Sequence, residues 1–337
     1  MSIIRSFAGA VMAAAVLAIA SSSQAQPVSL LMASAINAEN PTSRAMEIFK
    51  AEVVRRSHNA LDIELNTGLQ VGAPLEIVQK VRAGSIFATW VPATYISRIV
   101  PETEVLNLPF VFNRYDDVLR ILNGPVGKLI EAKLDAKGFT ALAWMDFGAR
   151  SVVNAKRALK RLDDFKDLRL RLAPLELLHA TFRALGTTAV MVDSKDLYMA
   201  LQQGDVDGFE SPYSISNSFG FSDNQKYISD TNHLLDPVGL VANKNAFIRL
   251  TPEQQKAIRD AAKVAAAQER KMVHDDEAAA LAALQAKGLQ FDPVPPETRM
   301  AIRKVAAGVI NGKKDGIGAE LVDRVMAEAG SRRQAAK

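Results

Sequence analysis

Short apolar strands alternate with amphipathic helices through most of this 337-residue chain, and that order leads to sheets with helices laid on their faces. The first unit reads as a strand over 28–33. Asn40-Pro41 then opens a helix whose buried stripe is Ala45, Phe49 and Val53. Leu61, Ile63 and Leu65 alternate with Asp62, Glu64 and Asn66, the period of a half-exposed strand. A helix over 75–83 stops at Gly84, a strand follows over 85–91, one helix runs over 116–137, and a strand over 139–145 closes the set. A second set reads as strand 168–172, helix 175–185, strand 188–192, helix 194–203 and strand 205–209, and Ala242-Asn243 closes a further short strand. The β-α-β order predicts parallel sheets. Thr251-Pro252-Glu253 starts a helix that continues to Gly288, about 50 Å at 1.5 Å per residue. That exceeds one small lobe, so the helix is expected to brace two. Helices over 296–307 and 319–329 finish the chain.

The amino terminus has the layout of a secretory signal: Arg5, an apolar run from Phe7 to Ala20, and the small-x-small ending Ser23-Gln24-Ala25. The run is shorter than the roughly 20 apolar residues a membrane span needs. Cleavage after Ala25 leaves 312 residues and, with Arg5 gone, lowers the formal net charge from +4 to +3. This mild excess is not gathered into a basic block, so nucleic acid is not an expected partner. The absence of cysteine rules out disulfides, thiol nucleophiles and cysteine-ligated metals. Periplasmic export is the expected location.

Catalytic signatures are scarce. His58, His179, His233 and His274 have no metal-ligand spacing to one another or to a suitable acid. There is no nucleophile elbow, phosphate-cradling glycine loop or dinucleotide fingerprint. Asp205 and Asp207, in Gly204-Asp205-Val206-Asp207-Gly208, read as a turn entering a strand rather than as an acid–base pair. No cofactor and no metal site is expected.

Binding-type residues remain. Leu168-Arg169-Leu170-Arg171-Leu172-Ala173-Pro174 puts three leucines on one face of a strand and two guanidinium groups on the other. Such a pair is either solvated at a sheet edge or placed to grip a carboxylate through a planar fork. Trp90 ends the strand 85–91 with Tyr95 just beyond, Phe147 precedes Gly148-Ala149-Arg150, and Phe209-Glu210-Ser211 ends another strand. In open α/β sheets ligands sit outside the carboxyl ends of strands, so the joint placement of these residues points to a ligand cleft.

The segment Asp164-Phe-Lys-Asp-Leu-Arg-Leu-Arg171-Leu-Ala-Pro174 resembles the "DLKGLKIRVP" stretch of the substrate-binding (DctP-type) proteins of tripartite ATP-independent periplasmic (TRAP) transporters. Asp196-Leu-Tyr-Met-Ala-Leu-Gln-Gln-Gly-Asp-Val-Asp-Gly-Phe-Glu-Ser-Pro212 is similar to their "EVYTALQTGVVDGQENP". Leu108-Pro109-Phe110-Val111-Phe112, Gly148-Ala149-Arg150 and Thr231-Asn-His-Leu followed by Leu240-Val-Ala-Asn243 also match, in the same order. The resemblance implies two α/β lobes that close like a clamshell, and an organic acid as ligand, with dicarboxylates among the expected acids. It implies that Arg171 pairs with the carboxylate and that Arg150 adds a second donor. Ser211 falls where the family has a ligand-contacting asparagine, and Ser194 where it tends to have an aromatic residue.

The expected organisation is therefore a signal over 1–25, lobe I over 26–148 and lobe II over 149–235. A return to lobe I and the bridging helix occupy 236–288, and C-terminal helices over 289–337 pack mainly on lobe II. The crossings fall near Gly148 and over 233–239. The expected substrate-binding set is Arg171, Arg150, Ser211, Trp90, Tyr95, Phe209 and Phe147. The expected protein is a monomeric, non-enzymatic carrier that hands its ligand to a membrane permease. An exported α/β enzyme acting on a carboxylate, or a binding protein of an ATP-driven importer, is the alternative.

Overall fold

The computed structural model describes residues 26–112 and 114–335, so the signal segment and its cleavage point lie outside the described residues. Eleven strands are present among these residues: β1 (Val28–Ser34), β2 (Leu61–Thr67), β3 (Ala88–Pro92), β4 (Phe139–Met145), β5 (Ala149–Asn154), β6 (Arg169–Arg171), β7 (Thr188–Val190), β8 (Gly208–Ser211), β9 (Tyr227–Leu235), β10 (Val238–Asn243) and β11 (Gln290–Pro293). The helices of the first half are α1 (Pro41–Arg56), α2 (Pro74–Ala83), α3 (Ala93–Ile96), α4 (Tyr115–Leu122), α5 (Pro125–Ala136) and α6 (Glu176–Ala184). Those of the second half are α7 (Leu197–Gln203), α8 (Tyr213–Ser218), α9 (Lys244–Ile248), α10 (Pro252–Ala286), α11 (Pro296–Lys313) and α12 (Ala319–Ala335).

The strands form two sheets, one per lobe. Lobe I has the order β2-β1-β3-β10-β4, and lobe II has β11-β9-β5-β8-β6-β7. Neither sheet is purely parallel, which corrects the expectation drawn from the β-α-β order. β10 runs antiparallel to β3 and β4, and β5 runs antiparallel to β8 and β9. The reason is the crossing itself. β4 passes through residues 146–148 straight into β5 of the other lobe, and β9 returns through 236–237 into β10. A parallel neighbour needs a long crossover connection, whereas a strand that arrives directly from the other lobe does not have one. β9 and β11 were not anticipated as strands.

Local differences from the sequence reading have local causes. The helix expected over 116–137 is two helices, broken at Asn123-Gly124 before Pro125. Gly127 lets the second start close against the first, since a Cβ there would lie 1.8 Å from the Leu122 carbonyl oxygen. β8 begins at Gly208 rather than at Asp205, because Gly204 is left-handed (φ 74°) and Asp207 is held by Arg169.

α1 is capped by the Asn40 side chain, and Ala45, Phe49 and Val53 are fully buried. α10, 35 residues long with a Thr251/Gln254 capping box, packs on α1 and β4 of lobe I and on α8 of lobe II. Its Ala261, Ala265, Ala280 and Leu284 lie in one continuous apolar cluster with Phe49 and Trp90 of lobe I and Phe209 and Ile228 of lobe II. Small residues let the helix lie close to both lobes. The C-terminal helices divide between the lobes, which corrects their expected placement on lobe II. α11 buries Ile302 and Ala306 in the lobe II core, whereas α12 buries Leu321, Val322 and Val325 against Val118 and Ile121 of lobe I.

Candidate functional site

The cleft between the lobes is reached from strand ends. β6 and β8 are parallel neighbours, so Arg171 and Ser211 leave the lobe II sheet on the same side. β5 runs the other way, which brings its first turn, with Arg150, to that side too. From lobe I, the exit of β3 at Pro92 leads into α3 and Tyr95, and the exit of β1 leads to Ala35 and Ile36. Six of the seven expected residues line one cavity: Tyr95, Phe147, Arg150, Arg171, Phe209 and Ser211. The space between its walls is about 540 Å³, part of it open to solvent.

Trp90 is not among the lining residues. It is fully buried in the core and its Nε1 donates to Ser43 Oγ at 3.1 Å. Successive side chains of a strand point to opposite faces, and Trp90 faces α1. Only at Pro92, where β3 ends, does the chain reach the cleft.

The two arginines are equally buried, 4% exposed for Arg150 and 5% for Arg171, but their surroundings differ. Arg150 Nε and Nη2 donate to the two carboxylate oxygens of Glu210 at 2.5 and 2.9 Å. Nη2 also reaches the Glu210 carbonyl at 3.0 Å, and Nη1 reaches Asp236 Oδ2 at 3.4 Å. Glu210 further accepts from the Ala173 amide at 2.7 Å and sits 3.2 Å from His233 Nε2. A carboxylate only accepts, so Nε2 carries the ring proton and Nδ1 accepts from the Thr231 hydroxyl at 2.8 Å. Burial pushes the His233 pKa down, which keeps the ring neutral near pH 7. Burial would raise the Glu210 pKa, but the Arg150 charge and the hydrogen bonds from His233 and Arg150 outweigh it and hold the carboxyl far below its ordinary value. Asp236 moves the other way. Burial pushes its pKa up to about 6 against the pull of Arg150 and the donors Asn107 and Thr94.

Arg171 has no acidic partner within 4 Å among the described residues. Its Nε donates to the Val192 carbonyl at 3.0 Å and its Nη2 to Ser194 Oγ at 2.9 Å. Its Nη1 has no hydrogen bond to a described residue. Ser194 Oγ is also 2.9 Å from Tyr95 Oη, so a hydrogen bond crosses from lobe I to lobe II beside the guanidinium. The neighbouring Arg169 is on the outer side, paired with Asp207 through Nη2 at 2.8 Å and Nε at 3.3 Å. The two arginines share a face of β6, and position along the strand separates them: Arg169 starts β6 beside Asp207, whereas Arg171 ends it at the cleft.

Residues that the expected set left out include Glu210 and Ser194, and the aromatic wall Phe219 and Phe221. Glu210 had a legible signal, since an acid in the apolar strand end Gly208-Phe209-Glu210-Ser211 needs a cation or donors. Phe219-Gly220-Phe221 lies beyond α8 in a segment without strand or helix period. Among the described residues no group of three or more His, Cys, Asp or Glu is arranged to hold a metal ion.

A family model for bacterial extracellular solute-binding protein, family 7 (DctP), matches residues 32–313. A solute-binding protein of Verminephrobacter eiseniae is 34% identical over 245 residues, 73% of each chain. The C4-dicarboxylate-binding periplasmic protein DctP of Rhodobacter capsulatus is 26% identical over 330 residues, 96% of this chain and 98% of that one. Among solved structures, the sugar acid binding protein DctPAm of Advenella mimigardefordensis, in complex with galactonate, superposes with a TM-score of 0.87 at 27% identity, over 91% of this chain and 99% of that one. The two-lobe α/β fold, the matched span and these relatives together place the chain in the DctP family of TRAP-type extracellular solute-binding proteins.

Proposed function

We propose that this protein captures an organic acid between its lobes through Arg171 and delivers it in the periplasm to the membrane permease of a TRAP transporter. The observation that carries the reading is the state of Arg171. A buried guanidinium without a counter-charge is costly, and a ligand carboxylate accepting from Nη1 and the second Nη2 hydrogen would complete it. Relatives that bind a C4-dicarboxylate and galactonate support an acid as the ligand class.

Ser194 and Ser211 are the serine hydroxyls of the cleft. Neither is hydrogen-bonded to a histidine or a carboxylate among the described residues, which favours binding over nucleophilic catalysis. Tyr95 and Ser194 close the cleft from opposite lobes. A ligand that adds contacts only in that closed form shifts the lobes toward it by its differential affinity, and closure presents one shape to the permease.

Thermal denaturation against a panel of organic acids tests the anchor. An acid at about 100 times its Kd adds about 2.7 kcal/mol of stability. We expect that rise in the wild type, a reduced one in Arg171→Lys, which keeps the charge but loses the fork, and none in Arg171→Ala. Equal stabilisation of all three proteins would remove Arg171 from the anchor role.

A further inference from the structure

We infer that the acid carries a single carboxylate on an apolar, preferably flat body. The inference rests on the organic-acid reading above and narrows it. The first ground is charge. Of the two cleft arginines, Arg150 is spent on Glu210 and Asp236, with at most one guanidinium hydrogen left over. Arg171 alone remains without an acid. Glu210 also lines the cavity, and its carboxylate opposes a second negative charge on the ligand near Arg150. The lobe II wall therefore supplies one net positive charge, placed at one end of the cleft.

The second ground is the rest of the wall. Phe219 and Phe221 are stacked, 5.3 Å apart at 11°, and Phe209 meets Phe221 edge-on at 5.8 Å. Phe147, Leu197 and Ile215 extend this surface. Ser211 contributes the one hydroxyl without a hydrogen bond to a described residue, because those of Tyr95 and Ser194 are engaged with each other. A polyhydroxylated acid would leave most of its hydroxyls facing carbon, and each unmatched hydroxyl weakens binding. A ring or a branched alkyl group instead gains aromatic contact and buried apolar area.

Titration calorimetry of the wild-type protein with four probes decides between the classes: phenylacetate and 4-methyl-2-oxopentanoate as apolar monocarboxylates, succinate and galactonate as the doubly charged and polyhydroxylated alternatives. We expect at least one of the first pair to bind 10-fold or more tightly than both of the second. Phe219→Ser, at a half-buried position on the wall, should weaken that preferred probe about 10-fold with the circular-dichroism spectrum unchanged. Succinate or galactonate binding as tightly as the best apolar acid overturns the inference. If that binding is lost in Arg171→Ala, the anchor survives and only the narrowing fails. If none of the four binds, the anchor reading and the narrowing both fall.

Discussion

Arg150 and Arg171 lie on the same sheet, face the same cleft and are buried to the same degree, yet one is internally neutralised and the other is open. Arg150 enters on an antiparallel strand beside Glu210, so register places the acid against it. Arg171 leaves on a strand whose neighbours offer only the Val192 carbonyl and the Ser194 hydroxyl. Motif position alone gives both arginines a carboxylate to hold. Geometry shows that one already holds a carboxylate of the protein. The same contrast runs through the buried acids. Glu210, beside Arg150, is held ionised, whereas Glu269 and Glu277 on α10 are pushed up by burial to about 8 and about 7. Glu269 accepts from the Thr42 hydroxyl and the Asp146 amide, with the Asp146 carboxyl adding repulsion and Arg270 partly offsetting it. Glu277 accepts from the Tyr213 and Ser214 amides at the start of α8. The two carboxyls therefore fasten the bridging helix to both lobes. Gly148 at the crossing has no Cβ because one would sit 2.7 Å from Glu277 Cδ.

The largest expected effect would break the contrast at Arg150. Arg150→Ala strands a buried carboxylate and should cost about 3–5 kcal/mol of stability, the usual loss when one partner of a buried pair is removed, read by urea denaturation. A loss below about 1 kcal/mol would mean that the Glu210 pair is not the structural one.

The second expectation concerns pH and the acids. Folded Glu269 keeps its proton to about pH 8, whereas the unfolded chain releases it near the ordinary 4.5. The folded state therefore binds the extra proton between these values, and stability falls as pH rises from about 5 to 8. Glu269→Gln keeps an acceptor for Thr42 and Asp146 and removes the charge. It should flatten that fall and leave the variant more stable than wild type at pH 8, on the order of 1–3 kcal/mol. Glu210 has the opposite sign: its contribution is full above the ordinary carboxyl value and is lost as pH falls through its depressed one. Identical slopes for wild type and Glu269→Gln would show Glu269 to be ionised in the fold.

The smallest expected effect sharpens the other side of the comparison. Arg171→Met removes a charge with no acidic partner and keeps an apolar stem, so unliganded stability should stay within about 1 kcal/mol of wild type or rise. Denaturation without ligand measures this. A loss as large as that of Arg150→Ala would make Arg171 a structural cation and dissolve the distinction.

Much of this was legible in one dimension. The buried stripe Ala45-Phe49-Val53, the start of α10 at Thr251-Pro252 and the shared face of Arg169 and Arg171 follow from side-chain period and capping chemistry, which act within a few residues. Tyr95, Phe147, Phe209 and Ser211 could be placed at a cleft because strand ends gather there whatever the details of the sheet. What depended on register or on distant neighbours could not be read this way. Trp90 stands two residues from the cleft but faces the core, because the exit of β3 is set by where β10 stops pairing with it. Glu210 and Arg150 are 60 positions apart and become a pair only through the antiparallel β5–β8 register. The sequence by itself determined most of the elements and the strand ends that line the cleft, since these follow from local periodicity and caps, while the two-lobe plan came from its resemblance to a known family. Tertiary structure alone decided which arginine is left without an acidic partner, because a charge is neutralised by whatever lies within a few ångströms of it, and that is a property of the packed sheet.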